Sequence, residues 1–233
     1  MIRSGIDSSF SRHASSPDVF GGRADHTARR RRMVNQQLAA RDITDPRVLE
    51  AMAEVPRHLF VVAREIDVAY DDRALPLSHG ATISQPYIVA LMSQALRLTG
   101  SERVLEIGTG SGYGAAVLSK LAAHVVTVEI VPELAEAAAR RLGPTVEVIV
   151  GDGSDESVPT GPFDAISVTA TADEIPPALV ERLAAGGRMV IPLAGTASDT
   201  LTLVTKTDDE LETEDLCAVR FVPLQGRHRP GRG

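Results

Sequence analysis

Residues 104–113 read VLEIGTGSGY, a strand-like run that leads directly into glycines at three alternate positions. Val104, Leu105 and Ile107 are apolar residues of the kind found in buried strands. Glycine at a strand-to-helix turn allows the backbone to curve tightly and to approach a ligand at the helix N-terminus. The run therefore predicts a buried strand, a ligand-binding loop and a helix, in that order.

Strands and helices alternate around and after this loop. Apolar runs predict strands at 103–107, 125–128, 146–150, 163–168 and 189–193. Helices are predicted at 112–122, 132–142 and 177–185, the last of them stopped by Gly186 and Gly187. This alternation favours a doubly wound parallel sheet. Strands at 200–206 and 216–222 flank an acidic turn and predict an antiparallel hairpin, so we expect a mostly parallel α/β sheet of seven strands.

The N-terminal side of the glycine loop adds helices and a long loop. Helical spacing of apolar residues predicts one short helix from Arg30 and a second between Asp45 and Pro56. Residues 59–80 have little periodicity, and a structureless stretch of that length within a domain is uncommon unless it is functional. We therefore expect this loop to contact substrate.

A further helix is predicted to begin just after Pro86, where an apolar face starts at Ile88. Residues 81–86, ATISQP, lead into it, so Thr82 and Ser84 are expected at the mouth of this helix. The hydroxyl of Ser84 could serve there as a helix N-cap, as an active-site group, or as both.

Composition limits the partners and the setting of the chain. Its 233 residues are 43% hydrophobic, which favours one domain with a substantial core. The net charge of −7 provides no basic field for nucleic acid or for an anionic membrane surface. Cys217 has no second cysteine to pair with, and no apolar run approaches the roughly 20 residues that span a bilayer. We expect a cytoplasmic monomer that binds neither nucleic acid nor membrane.

Segments of weak pattern flank the predicted domain at both ends. Residues 1–28 are polar and without periodicity, and they are expected to form a disordered tail. A single domain is expected at 29–226. It consists of N-terminal helices and the substrate loop at 29–100, and of the cofactor-binding sheet and hairpin at 101–226. Residues 227–233 are expected to be flexible.

Three acidic residues stand at the ends of three successive strands. Glu106 lies under the glycine loop, where its carboxylate could pair with the cationic amino group of a methionine moiety and would repel a diphosphate. Glu129 ends the next strand, the usual place for a carboxylate that binds two ribose hydroxyls. Asp152 follows the third strand and could bond the amino group of an adenine. The set indicates an adenosine ligand that carries an amino acid, as S-adenosylmethionine does.

A nicotinamide dinucleotide is the rival ligand for the same loop. Gly110, Gly112 and Ala115 satisfy the relaxed glycine fingerprint of dinucleotide-binding domains, and Glu129 falls near their usual acidic position. The carboxylate of Glu106 and the C-terminal hairpin argue against a dehydrogenase. They suit a seven-stranded, Rossmann-like methyltransferase sheet with an N-terminal helical extension.

Specific motifs run through most of the chain. They are MV at 33–34, QQL at 36–38, VPRHLFV at 55–61, ALPL at 74–77, GATISQPY at 80–87, the glycine loop, GDG at 151–153, PFD at 162–164 and FVPL at 221–224. From about Met33 to Gly226 the chain thereby resembles the protein-L-isoaspartate O-methyltransferase family. Generic methyltransferases share only the glycine loop.

The resemblance implies an enzyme that methylates the free α-carboxylate of L-isoaspartyl residues, using S-adenosylmethionine. Ser84 matches the active-site serine of the family, and segment 82–84 helps to cover the cofactor and to receive the substrate. The expected cofactor-binding residues are Thr82, Ile83, Ser84, Glu106, Gly108, Thr109, Gly110, Ser111, Gly112, Glu129, Ile130, Asp152 and Gly153. The substrates would be isoaspartyl-containing proteins and peptides, and no metal is expected.

Two loops depart from the usual pattern of the family. Residues 155–158 read DESV where the family has a glycine followed by a bulky residue, and residues 169–173 read TATAD where it has a Thr-Ala-Ala-Ala-Pro run. These changes leave open a same-fold enzyme that methylates an aspartate of a dedicated ribosomal peptide. A cofactor-binding protein without catalysis is a further alternative, against which the joint presence of Ser84, Glu106, Glu129 and Asp152 argues.

Overall fold

The computed structural model describes residues 21–155, 159–208 and 210–226. Its helices and strands are, in chain order, α1 (Gly21–Met33), α2 (Pro46–Glu54), β1 (Leu75–Pro76), β2 (Thr82–Ile83), α3 (Pro86–Ala95), β3 (Arg103–Ile107), α4 (Tyr113–Leu118), β4 (His124–Glu129), α5 (Pro132–Ala139), β5 (Val146–Val150), β6 (Phe163–Val168), α6 (Pro177–Arg182), β7 (Leu183–Leu193), β8 (Asp199–Lys206) and β9 (Leu211–Val219). A π-helical turn at Val34–Leu38 extends α1, and short 3₁₀ helices occupy Arg57–Leu59 and Ala63–Val68.

A seven-stranded sheet forms the centre of the fold, in the order β5-β4-β3-β6-β7-β8-β9. The five strands from β5 to β7 pair in parallel, whereas β8 runs antiparallel to both β7 and β9. The predicted mostly parallel α/β sheet is therefore confirmed. Because β4 and β6 lie on opposite sides of β3, the chain changes direction across the sheet there, and a crevice opens at the carboxyl ends of these strands.

The central strands are apolar throughout because both faces of the sheet are covered. Val104 of β3 and Val125 of β4 belong to a core shared with α2, α3 and α4. Their neighbours Leu105 and Val126 point to the opposite face and join a second core with residues of β6 and α6. All four side chains are completely buried. Strands buried on two faces lose the alternation of apolar and polar residues that marks a one-sided sheet.

The N-terminal region is more ordered than its sequence pattern indicates. Helix α1 begins at Gly21, so the prediction that residues 21–28 belong to a disordered tail is wrong, and residues 1–20 lie outside the described part of the chain. Ring stacking contributes to the docking of this helix, since the imidazole rings of His26 and His58 stack with their centroids 4.1 Å apart. The contact joins residues distant in sequence, which no periodicity can reveal.

Residues 59–80 were predicted to be a structureless loop, but they fold into short elements. The 3₁₀ helix Ala63–Val68 is followed by β1, which pairs with β2 through Leu75 opposite Ile83 and Pro76 opposite Thr82. This two-stranded hairpin brings the segment after β2 to the mouth of α3. Elements of two to six residues are too short to produce a periodic pattern.

The C-terminal half differs from the prediction in the bounds of α6, β7 and β9. Helix α6 ends at Arg182, and β7 begins at Leu183, because the buried side chain of Leu183 pairs opposite Phe163. The register shifts before the next pair, so residues 184–187 form an irregularity in β7 instead of the end of a helix. Strand β9 starts at Leu211 and ends at Val219, earlier than the 216–222 predicted. Residues 227–233, expected to be flexible, lie outside the described residues.

None of the helices in the described ranges is both long enough and apolar enough to cross a bilayer.

Candidate cofactor-binding and active site

A cleft of about 1160 Å³, counting the space at its open mouth, lies at the carboxyl ends of the parallel strands. The parts of the chain that line it include the glycine loop after β3, the end of β4, the β1–β2 hairpin with the segment that follows it, and residues 222–225, here called the C-terminal arm. Of the residues predicted to bind the cofactor, all but Gly112 and Asp152 line this cleft. Their roles in binding remain predictions.

The glycine loop adopts backbone conformations that side chains disfavour. Gly108 and Gly110 have φ values of 93° and 53°, and a Cβ atom on Gly108 would overlap the hydroxyl of Thr169. Thr169 donates that hydroxyl to the carbonyl oxygen of Gly108 at 2.7 Å. Gly112 also has a positive φ of 87°, but a Cβ there would face Ala138, 3.3 Å away on α5. Gly112 thus allows α4 and α5 to pack, while Gly108 and Gly110 line the cleft.

Glu106 provides a buried carboxylate below the loop. Its side chain is 1% exposed and accepts a hydrogen bond from Thr127 Oγ1 at 2.6 Å, and Thr127 is 2.7 Å from the hydroxyl of Thr109. Burial, together with the nearby charge of Glu129, raises the pKa of Glu106 to about 8, although the bond from Thr127 opposes this. A Cβ on Gly114 would overlap Glu106 Oε1, so α4 requires glycine at that position.

Glu129 is fixed by the backbone at the end of β4. Oε2 accepts from the amide of Gly110 at 2.8 Å, and Oε1 accepts from the amide of Val131 at 3.0 Å. Each carboxylate oxygen has a second lone pair, so this arrangement can still receive two ribose hydroxyls. Ile130, the next residue, is an exposed apolar side chain on the cleft wall, suited to the face of an adenine ring.

Asp152 has a structural task in the turn after β5. Its Oδ1 accepts hydrogen bonds from the amide of Ser154 at 2.9 Å and from the hydroxyl of Ser154 at 2.6 Å. Ser154 is completely buried, whereas Gly153 between them lines the cleft. The expected bond between Asp152 and an adenine amino group therefore remains a prediction, and the observed bonds show how its carboxylate is oriented.

Ser84 lies between β2 and α3 and lines the cleft. The N-cap of α3 is Gln85, which makes no side-chain capping bond, so the reading of Ser84 as a simple N-cap is wrong. Among the described residues, the Ser84 hydroxyl has no hydrogen-bond partner within the protein. It is available to donate a bond to a molecule in the cleft.

Sequence reasoning did not identify the C-terminal arm as part of the site. Backbone bonds from Thr171 N to Val222 O at 2.9 Å and from Leu224 N to Thr171 O at 2.8 Å hold the arm beside the loop after β6. The hydroxyl that distinguishes Thr171 from the usual family pattern is buried and donates to Asp199 Oδ2 at 2.7 Å. It therefore faces the protein and not the substrate. The FVPL motif at 221–224 was the available signal.

These features fit S-adenosylmethionine. A buried carboxylate, a glycine turn, a carboxylate ready for ribose and an exposed isoleucine succeed one another along one wall of the cleft. The described residues contain no group of three histidine, cysteine or acidic side chains that could share a metal ion. The sheet order and this wall define a Rossmann-like methyltransferase that uses S-adenosylmethionine as its methyl donor.

Comparison with known proteins narrows this class. The sequence model of the protein-L-isoaspartate(D-aspartate) O-methyltransferase family matches residues 28–229. A protein-L-isoaspartate O-methyltransferase of Roseiflexus castenholzii is 52% identical over 208 residues, which are 88% of this chain and 95% of that one. Another, from Methanoculleus marisnigri, is 50% identical over 85% of this chain and 92% of its own length.

Solved structures agree with these relatives. A protein-L-isoaspartate O-methyltransferase structure superposes with a TM-score of 0.76 at 30% identity, covering 85% of this chain and 67% of the other. A structure from Plasmodium falciparum, assigned to the same enzyme and holding S-adenosyl-L-homocysteine, gives a TM-score of 0.70 at 27% identity over 84% of this chain and 98% of its own. The chain belongs to the protein-L-isoaspartate(D-aspartate) O-methyltransferase family.

Proposed function

We propose that this protein methylates the free α-carboxylate of L-isoaspartyl residues in damaged proteins and peptides, and so begins their repair. One observation carries the proposal: the unpartnered hydroxyl of Ser84 and the cofactor wall formed by Glu106 and Glu129 line the same cleft. A methyl donor and an acceptor carboxylate can therefore meet in one cavity. The names of the relatives support isoaspartate as the acceptor.

Residues of the cleft wall would hold the cofactor. Glu106 would neutralise the amino group, the turn at Gly108 and Gly110 would admit the methionine moiety, Glu129 would bind the ribose and Ile130 would cover the adenine. S-adenosylmethionine supplies, when bound, a methyl group activated by a positively charged sulfur. Because the wall is built on strand ends and a short turn, its groups are already in place before a ligand arrives.

The acceptor requires orientation and not deprotonation. A carboxylate with a pKa near 4 is ionised at neutral pH, so no general base is needed for its oxygen to take a methyl group. The Ser84 hydroxyl would donate a hydrogen bond to one carboxylate oxygen and leave the other to react. The β1–β2 hairpin on one side and the C-terminal arm on the other border the cleft and limit the access of water.

The methyl ester then leads to repair without further help from the protein. Methanol leaves an ester carbonyl far more readily than water leaves a carboxylate, so the neighbouring backbone amide nitrogen attacks the ester carbon. Methoxide departs with the amide proton as methanol, and a succinimide closes. Water opens this ring to give either the normal aspartyl linkage or the isoaspartyl linkage again. Repeated rounds convert the isoaspartyl form into the normal form.

A conversion assay tests this sequence of events. A synthetic L-isoaspartyl peptide would be incubated with the protein and S-adenosylmethionine, and the two linkage isomers would be separated by chromatography over several hours. We expect the normal aspartyl peptide to accumulate only when protein and cofactor are both present. Methylation of the precursor of a ribosomal natural product, with no conversion of the isoaspartyl peptide, would contradict the proposal and favour the dedicated-peptide alternative.

We propose in addition that the protein works as a monomer in the reducing environment of the cytoplasm. Residues of a single chain line the cleft on every side described, and Cys217 is present as a free thiol. Light scattering coupled to size-exclusion chromatography should give the mass of one chain, 24.8 kDa. A mass of twice this value would contradict the monomer.

A further inference from the structure

Asp72 joins three parts of the chain next to the proposed acceptor site. Its Oδ2 accepts hydrogen bonds from Gln85 Nε2 at 2.8 Å and from Arg41 Nη1 at 3.1 Å, and its Oδ1 accepts from the amide of Tyr87 at 3.1 Å. The Asp72 side chain is 22% exposed, so solvent screens these charge interactions only in part. Two of the three donors lie within three residues of Ser84.

The start of helix α3 depends on this carboxylate. Gln85 occupies the N-cap position without a capping bond of its own side chain, and Pro86 has no amide hydrogen. The first helical amide that needs an acceptor is that of Tyr87, and Asp72 supplies it from a different loop. An anion at a helix N-terminus also interacts favourably with the helix dipole. The direction in which the chain leaves Ser84 is therefore set by Asp72 and not by the local sequence.

Other contacts fix Asp72 and Tyr87 relative to each other. The guanidinium of Arg41 lies over the Tyr87 ring, 3.3 Å from its centroid, while it also pairs with Asp72. The Tyr87 hydroxyl donates to Asp42 Oδ2 at 2.9 Å. The loop that carries Asp72 is held in turn by the fully buried Arg57, whose Nε donates to the carbonyl of Ala69 at 2.8 Å.

We infer that Asp72 is a positioning residue for methyl transfer, which holds Ser84 at the acceptor end of the cleft through Gln85 and the N-terminus of α3. This inference rests on the role proposed above for Ser84. Asp72 does not line the cleft in which substrate and cofactor would meet. Its effect reaches the reaction only through the placement of the serine hydroxyl.

The substitution Asp72→Asn tests the inference, with Asp71→Asn as the matched control. An asparagine keeps an oxygen for the Tyr87 amide but presents its NH₂ group to Gln85 and Arg41, which are themselves donors. Asp71 is the adjacent residue and carries the same charge, but its side chain is 49% exposed and, within the described part of the chain, pairs only with Arg73. We expect kcat on an isoaspartyl peptide to fall by roughly 10- to 100-fold in the Asp72 variant and to stay within about twofold in the control.

Cofactor affinity separates positioning from general damage. Glu106 and Glu129 lie on β3 and β4, so the Kd of S-adenosyl-L-homocysteine should change by less than about twofold in either variant. A loss of cofactor affinity as large as the loss of kcat would overturn the inference, because Asp72 would then support the whole cleft. If Asp72→Asn does not fold, Gln85→Met takes its place in every measurement, because it breaks the half-buried bond from Gln85 to Asp72 and leaves the carboxylate intact.

A double-mutant cycle with Ser84→Ala decides whether Asp72 acts through the serine. If it does, Asp72→Asn should lower kcat further by less than about twofold once the serine hydroxyl is absent. A full, independent loss in the double variant would overturn the inference about Asp72 and leave the role of Ser84 intact. If Ser84→Ala alone leaves kcat unchanged, the role of Ser84 fails, and the inference fails with it.

Discussion

Binding of the cofactor should release a proton from Glu106. The carboxyl group is 1% exposed, and burial raises its pKa to about 8, so it is mostly protonated at pH 7 in the free protein. The cationic amino group of the ligand favours the ionised form. At pH 7 each molecule bound should therefore expel close to one proton, and the affinity should rise as the pH is raised from about 6 toward 8.

The stability of the free protein should change with pH in the opposite sense. The pKa of Glu106 is raised in the folded state above its ordinary value of 4.5, so the folded protein holds this proton more tightly than the unfolded chain. The contribution of this proton to the free energy of unfolding is fully present below pH 4.5 and is lost as the pH rises to about 8. A pKa raised from 4.5 to about 8 corresponds to roughly 5 kcal/mol in the free energy of unfolding, as an upper limit.

Titration calorimetry with S-adenosyl-L-homocysteine measures the proton release directly. The binding enthalpy would be determined at pH 7 in two buffers of different ionisation enthalpy, for the native protein and for Glu106→Gln. We expect the enthalpy to depend on the buffer for the native protein and far less for the variant. The variant should also lose the change in folding stability that Glu106 causes between pH 4.5 and about 8. A native protein with no buffer dependence, or with an affinity that falls between pH 6 and 8, would refute the reasoning.

Three further substitutions probe the cleft. Ser84→Ala should lower kcat on an isoaspartyl peptide by roughly 10- to 100-fold, measured as base-labile methyl ester, with little change in cofactor Kd. Ser78→Ala, in the turn between β1 and β2, is the control and should retain activity. Gly114→Ala places a methyl group against Glu106 and should weaken S-adenosyl-L-homocysteine binding by about tenfold or more in calorimetry, equal to roughly 1.4 kcal/mol. Thr171→Val removes the buried hydrogen bond from Thr171 to Asp199 behind the C-terminal arm. It should lower the free energy of unfolding by about 1–2 kcal/mol in urea titrations. It should also raise the KM for peptide more than it lowers kcat.

The site residues predicted best from the sequence are those that lie at the ends of strands. Glu106 and Glu129 each close an apolar run, and parallel strands bring such ends to one edge of the sheet, so their shared cleft followed from the pattern. The glycines were harder to assign. Gly112, expected to contact the cofactor, does not line the cleft, so that contact stays a prediction, while Gly114, which gives room to Glu106, was not predicted. Which face a residue presents at a helix start depends on backbone angles that spacing alone does not reveal.

Contacts between distant segments account for most of what was not predicted. The C-terminal arm reaches the cleft because the backbone of Thr171 forms hydrogen bonds with it. The Thr171 hydroxyl in turn donates to Asp199, which lies 28 positions further along the chain. Leu183 leaves a helical pattern because it pairs with Phe163 across the sheet. In each case a tertiary contact overrides a local preference, and a single sequence holds no record of that contact.

The most direct test of the central claim compares two peptides that differ only in one linkage. Each would be incubated with the protein and methyl-labelled S-adenosylmethionine, one with an L-isoaspartyl residue and the other with a normal aspartyl residue, and base-labile methyl esters would be counted. The account predicts label on the isoaspartyl peptide alone. Label on neither peptide while S-adenosyl-L-homocysteine still binds, or equal label on both, would contradict it.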